Sequence, residues 1–398
     1  MTAHVALPSI SPAGADLARR SDVAAEVAAA HADAVDRQAR FPAEAFATLR
    51  AERLMSILVP ADLGGEGASI GDVVDICYAL GRACASTAMI FAMHQIMVAI
   101  LARHGRDSAW HQGLLRRICA EQWLLASSTT DGMGGGDLRA SACAVTPAGV
   151  RISLRKDATV MSYGAEADAI LTTARRSPDA GASDQVLVAL AHGDYRLERT
   201  VAWDALGMRG TCSAGFMLTA EGEPEQVLPV PYQRIHAQSM MPVAHLTWSG
   251  VWSGVAAGAV ERARAFLRTA SRRSGGQLPP GAAHLTRATA SLRTLRAMVA
   301  SHLQRFEAMA GREEELEALE FQAALSLLKV NASESALATV MSALQACGLA
   351  GYRNDGEFSV TRHLRDILSA PIMINNDRIL ANAATAAMLV EVPSRLRD

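Results

Sequence analysis

The chain has 398 residues, half of them hydrophobic and a fifth charged, a composition that fits a folded globular protein and excludes a disordered or collagen-like one. Lys and Arg (38) nearly balance Asp and Glu (40), and aromatic residues make up only 5%. That balance excludes a global field for nucleic acid or an anionic membrane surface, and it leaves little material for stacking single strands.

Residues 1–20 contain Pro8, Pro12 and Asp16 but no apolar core, so no secretory signal is expected. From 16 to 120 the chain is rich in Ala, Leu and Arg at helical spacing; Phe41, Ala45, Phe46, Leu49 and Leu54 fall mostly on one face. The run VPADLGGEGAS at 59–69 breaks this pattern and reads as a loop, after which helices resume from 70 through 104. The most apolar stretch, 84–101, holds His94 and Gln95. It falls short of the ~20 apolar residues of a membrane span and reads as a buried helix.

From Trp123 the pattern changes to short alternating or β-branched runs at 149–154, 169–173, 185–191 and 215–219. Turn clusters at 177–184 and 221–225 separate them, which predicts antiparallel strands rather than βαβ units. Beyond Pro242 the chain is helical again, with long Ala- and Leu-rich stretches at 243–271, 282–309 and 313–346. The acidic cluster at 313–320 reads as the solvated start of a helix, where the macrodipole favours it.

The predicted class is α+β, with a helical domain at 1–122, a central β domain at 123–235 and a helical domain at 236–398. Six scattered cysteines without a CxxC pair predict free thiols in a reducing, cytoplasmic setting, and no metal site.

Six segments carry a resemblance. They are VPADLGGEGAS (59–69), SSTTDGMGGGDLRA (127–140), RKDATVMSYGAEADAILTTAR (155–175), LGMRGTCSAGFML (206–218), LQACGLAGYRND (344–355) and LRDILSAPIMINNDRILA (364–381). In this order, over roughly 20–392, they resemble the acyl-CoA dehydrogenase superfamily. The resemblance implies an N-terminal helical domain, a central β-barrel-like domain and a C-terminal four-helix bundle. It also implies an FAD cofactor, or FMN in a two-component monooxygenase, and a homotetramer built as a dimer of dimers.

Residues 127–136 form a polar, Gly-rich stretch suited to offering hydroxyls and backbone N–H groups to a flavin. They miss the dinucleotide fingerprint because Asp137 stands where its last glycine belongs. The resemblance maps Thr130, Gly135 and Gly136 onto flavin contacts, Gly136 replacing a family serine. Val160 stands in place of a tryptophan that packs on the ring, and Ser162 matches a hydroxyl near its reactive face. Arg272, Gln345 and Gly348 match positions that reach a neighbouring subunit's flavin. Asp377 matches a cofactor-side residue and is expected to cap its helix. With several family contacts missing, flavin binding is expected to be weak.

Removing an α-proton from a thioester needs a carboxylate within hydrogen-bond reach. By resemblance the family glutamate falls at Asn375, and the alternative base position falls near Thr247 and Trp248; neither offers a carboxylate. Asp377 and Asp366 are the nearest in sequence. Two reactions stay open. One is α,β-oxidation of a CoA- or carrier-bound acyl thioester, with an electron-transfer flavoprotein as acceptor. The other is oxygen-using hydroxylation with reduced flavin from a separate reductase, for which His94, His245 and Ser162 are the candidates.

Overall fold

The computed structural model describes residues 12–130, 140–392 and 394–395. Gly135 and Gly136, expected in the flavin loop, lie outside the described residues.

Five helices come first: α1 (Pro12–Gln38), α2 (Ala43–Ala51), α3 (Ile70–Ala83), α4 (Ala85–His104) and α5 (Ala109–Glu121). The Pro/Gly loop ends in a capping box, in which the Asp72 amide donates to Ser69 Oγ (3.1 Å) and the Ser69 amide to Asp72 Oδ2 (2.9 Å). Helix α4 is apolar on nearly every face because the fold surrounds it. Among the described residues it is the one helix long and apolar enough to cross a membrane, and 83% of that window is buried inside the protein.

Among the described residues seven strands follow: β1 (Leu125–Ser128), β2 (Thr146–Ala148), β3 (Arg151–Met161), β4 (Ala169–Arg175), β5 (Gln185–Ala191), β6 (Tyr195–Val201) and β7 (Ala214–Gly222). They form a sheet of order β1-β4-β5 and a second of order β2-β3-β7-β6. This corrects two expectations. The β region is not a closed barrel, because consecutive β5 and β6 fall in different sheets and no ladder among the described residues joins the sheet edges. The pairing is not wholly antiparallel either, since β1 runs parallel to β4. Strand β1 enters straight from α5, and β3 intervenes in the other sheet, so β1 meets β4 only after a crossover.

The rest is helical: α6 (Tyr232–Ile235), a π-helical turn (His236–Met240), α7 (Met241–Arg273), α8 (Ala282–Ala308), α9 (Glu313–Glu317), α10 (Leu319–Cys347), α11 (Leu349–Tyr352), α12 (Thr361–Ile367) and α13 (Asn376–Leu389). The axis is α7, with α3 packed on one side and α8 and α10 on the others; α13 packs on α10. Glycine permits the close α3–α7 approach: a Cβ on Gly254 would sit 2.3 Å from the Tyr78 carbonyl oxygen. The single helix expected at 313–346 is broken at Ala318 (ψ 136). Gln322 Nε2 holds the break, donating to the carbonyls of Leu316 (2.6 Å) and Ala237 (2.9 Å).

Candidate active site

On the β side, the ladder between β3 and β7 slips between Ala158 and Met161. Such a bulge re-aims the side chains that follow it. Val160 and Ser162 then face outward while Met161 is buried; Val160 is 50% exposed. An apolar side chain beside a hydroxyl is the surface that one face of a flavin ring fits. Behind it lie two buried hydroxyls: Ser162 Oγ is 2.8 Å from Ser213 Oγ, which is 2.7 Å from Thr211 Oγ1.

The buried Lys156 ammonium holds the end of β1 by donating to the carbonyls of Ser128 and Thr173 (2.8 Å each) and to Thr173 Oγ1 (2.9 Å). Thr130, half-buried, follows two residues later.

On the helical side, α7 and α10 bring His245, Trp248, Trp252 and Lys329 together. The His245 Nδ1–H donates to the Leu325 carbonyl at 3.0 Å. That contact fixes the tautomer and leaves Nε2 with a lone pair. Burial pushes the imidazole down to about 3, so it is neutral at physiological pH. The Trp248 ring lies 5.8 Å from His245, and its indole N–H is buried with no acceptor among the described residues.

Lys329 is fully buried and lies 5.7 Å from the Trp252 ring. It donates to the Ala370 carbonyl (3.0 Å) and to Asn376 Oδ1 (2.7 Å), spanning the turn that carries Asn375. Burial lowers Lys329 to about 8. Asn375 is exposed and caps α13 through Oδ1, which accepts the Asp377 N–H at 2.9 Å. The cap is therefore Asn375 and not Asp377, which is exposed in the first helical turn.

The carboxylate beside this cluster is Glu334, exposed on α10, whose Oε1 accepts the Asn376 Nδ2–H at 3.3 Å. Asp366 is buried, accepts the Met208 N–H at 2.7 Å, and is raised by burial to about 6. Along α7 the first acidic residue is Glu261, which pairs with Arg82 at 2.7 Å on the surface. Thr247, at the alternative base position, donates its hydroxyl to the Val243 carbonyl at 2.8 Å.

His94 must be corrected as a catalytic candidate. Its Nε2–H donates to the Met55 carbonyl (2.7 Å) and its Nδ1 accepts the Leu125 N–H (3.0 Å), so both ring nitrogens are committed. It has no exposed surface, and burial depresses it to about 4. Its task is to fix the start of β1, together with Tyr163, whose hydroxyl donates to the Leu125 carbonyl at 3.0 Å.

Arg272, Gln345 and Gly348 are exposed at one end of the bundle. Along α10 Gln345 lies sixteen residues beyond Lys329, about 24 Å at helical rise. One chain therefore holds these two groups at different levels.

Sequence reasoning missed Lys329, Asn376, Thr211 and Ser213. The only linear signal for the first pair was a lone lysine in an otherwise apolar helical run.

Comparison with known proteins gives this geometry a lineage. The acyl-CoA dehydrogenase N-terminal domain matches residues 17–122, and the acyl-CoA dehydrogenase C-terminal domain matches residues 236–389. The chain belongs to the acyl-CoA dehydrogenase family.

Within that family it is similar to enzymes of two kinds. It is 26% identical over 377 residues to a cyclohex-1-ene-1-carbonyl-CoA dehydrogenase of Geobacter metallireducens, covering 92% of this chain and 95% of that one. It is also 26% identical over 234 residues to a dibenzothiophene monooxygenase of Mycolicibacterium goodii, where the match spans 56% of each chain. In structure it superposes on the FMN-bound TdsC of Paenibacillus sp. A11-2 with a TM-score of 0.83 at 18% identity, covering 95% of this chain and 98% of that one. A KijD3 in complex with dTDP gives the same TM-score at 23% identity, over 96% and 98% of the two chains. The family is one of flavoprotein oxidoreductases, and the α+β fold is theirs.

Proposed function

We propose that this acyl-CoA dehydrogenase family member is a flavin-dependent monooxygenase that uses reduced flavin and oxygen. One observation carries the reading. Asn375, where resemblance puts the family's base, serves as a helix cap, and the buried face of α7 presents a neutral histidine, two tryptophans and a threonine but no carboxylate. Taking the α-proton of a thioester needs a carboxylate within hydrogen-bond reach, and the one beside the cluster, Glu334, is exposed and engaged by Asn376.

Val160, Ser162 and Thr130 would hold the flavin from one subunit, and Arg272, Gln345 and Gly348 would hold it from a neighbour in a homotetramer. When bound, the flavin supplies two-electron redox chemistry and, once reduced, reactivity toward oxygen. The chain's own residues do the rest. The neutral His245 accepts a hydrogen bond at Nε2 and the Trp248 N–H donates one, so together they orient a neutral polar group. The apolar α7 face excludes water.

FMN delivered by a reductase suits a site with few fixed contacts to a dinucleotide. A neutral substrate suits a site whose buried polar groups include an uncharged imidazole and an indole N–H.

Dehydrogenation of an acyl thioester is the second reading. It is favoured by the nearly full-length match to the cyclohexene-carbonyl-CoA dehydrogenase. The test supplies the protein with reduced FMN, oxygen and dibenzothiophene or indole, and looks for oxygenated product by mass. A parallel anaerobic mixture holds oxidised flavin and an acyl-CoA. Oxygenated product supports the proposal; rapid loss of oxidised-flavin absorbance with acyl-CoA alone overturns it.

A further inference from the structure

The three hydroxyls behind Val160 form a series with a countable number of protons. Thr211 Oγ1 lies 2.8 Å from the Met208 carbonyl oxygen and 2.7 Å from Ser213 Oγ, which lies 2.8 Å from Ser162 Oγ. Each hydroxyl has one proton to donate. Two arrangements therefore keep both hydroxyl–hydroxyl bonds. In the inward one, Ser162 donates to Ser213, Ser213 to Thr211, and Thr211 to the Met208 carbonyl; Ser162 then offers only lone pairs outward. In the outward one, Thr211 donates to Ser213, Ser213 to Ser162, and Ser162 has its proton free for a ligand.

The Met208 carbonyl tolerates either arrangement. It also receives the Thr211 amide (3.1 Å) and Trp203 Nε1 (3.2 Å), so losing the Thr211 hydroxyl does not orphan it. Thr211 and Ser213 are buried, which removes competing water from the two inner positions. The series is also anchored, because the Met208 N–H is held by Asp366.

We propose that Thr211 and Ser213 are positioning residues that let Ser162 donate a hydrogen bond to an oxidised flavin and accept one from a reduced flavin. This rests on the reading that Ser162 faces the ring. Oxidised flavin N5 carries a lone pair and reduced N5 carries a hydrogen, so a partner of fixed polarity would serve one redox state and oppose the other. Reversal of the series serves both states, with no buried hydroxyl left unsatisfied in either. For a protein that receives its flavin reduced and releases it oxidised, binding then changes little across the cycle.

The test measures Kd for oxidised FMN by fluorescence quenching, and the midpoint potential of bound against free FMN by anaerobic titration. Wild type should shift the potential little. Thr211→Val leaves the Ser213 proton nowhere to point but Ser162, locking the series outward. It should favour oxidised FMN by about ten-fold, the scale of one hydrogen bond, and lower the potential by about 30 mV for a two-electron couple. Ser213→Ala removes the inward acceptor of Ser162 and should lower it likewise. Thr211→Ser should restore the wild-type potential. In a Ser162→Ala background, Thr211→Val should have no further effect.

Equal weakening of both redox forms by Thr211→Val, or a shift that persists without Ser162, overturns the proposal. Failure of wild type to bind either FMN or FAD, in either redox state, would instead overturn the flavin reading beneath it.

Discussion

Acid should unfold this protein through its buried histidines. His94, His104 and His111 are each pushed by burial to about 4, and His245 to about 3. His363 lies well below the ordinary value for the same reason. All five are less than a tenth exposed.

Each is neutral in the folded state and takes up a proton on unfolding near its ordinary value of about 6.5. The stability they contribute is therefore complete above about pH 6.5 and is lost as pH falls toward 4. At pH 5 a histidine shifted to about 4 has lost about 2 kcal/mol, so the four with values together lose about 8 kcal/mol. Asp366 opposes them. Its folded value is raised to about 6, so it adds stability as pH falls below that, about 1 kcal/mol by pH 5. The net loss, about 7 kcal/mol, rivals the whole stability of a typical domain, about 5–15 kcal/mol.

Urea unfolding at pH 7.5, 6.5, 5.5 and 5.0 measures this directly. The free energy should fall with a slope approaching several protons per molecule. His94→Gln can keep both hydrogen bonds, to Met55 and Leu125, without a titrating ring. It should recover about 2 kcal/mol of the loss at pH 5. A free energy constant between pH 7.5 and 5, or an unchanged slope in His94→Gln, would refute the reasoning.

Three further outcomes are expected. Asn375→Glu should introduce or raise anaerobic bleaching of oxidised flavin by an acyl thioester, measured by stopped-flow absorbance; an unchanged trace would displace Asn375 from the base position. Gly207→Ala places a Cβ 2.0 Å from the Arg365 carbonyl oxygen and 2.7 Å from the Asp366 nitrogen, both backbone atoms. It should break the Met208–Asp366 bond and cost at least about 2 kcal/mol, read as a lower urea midpoint. Purified protein should also lose flavin on extended dialysis. A stoichiometric yellow cofactor that survives would mean the missing contacts are replaced by others.

Much of the fold is legible in the linear order. Helical spacing at 282–309 becomes α8 within a residue, and the 185–191 run becomes β5 with the same bounds. Periodicity reports the local face of each element, and the six motifs reported the family. What periodicity cannot carry is pairing between distant segments. The parallel β1–β4 ladder depends on a crossover through another sheet, and the break at Ala318 depends on Gln322 reaching back to Ala237.

The site divides the same way. The absence of a carboxylate at Asn375 is written in the residue itself. Whether a histidine is a catalyst or a clamp is not, because that depends on which carbonyls and amides the fold brings to its two nitrogens. His94 and His245 look alike in sequence; only the tertiary structure consumes both nitrogens of the first and leaves one of the second open. The Ser162–Ser213 contact joins residues about fifty positions apart, and the buried Lys329 finds its acceptors more than forty residues downstream. Composition and motif fixed what chemistry was available, and burial in three dimensions decided which groups are charged, neutral or already engaged.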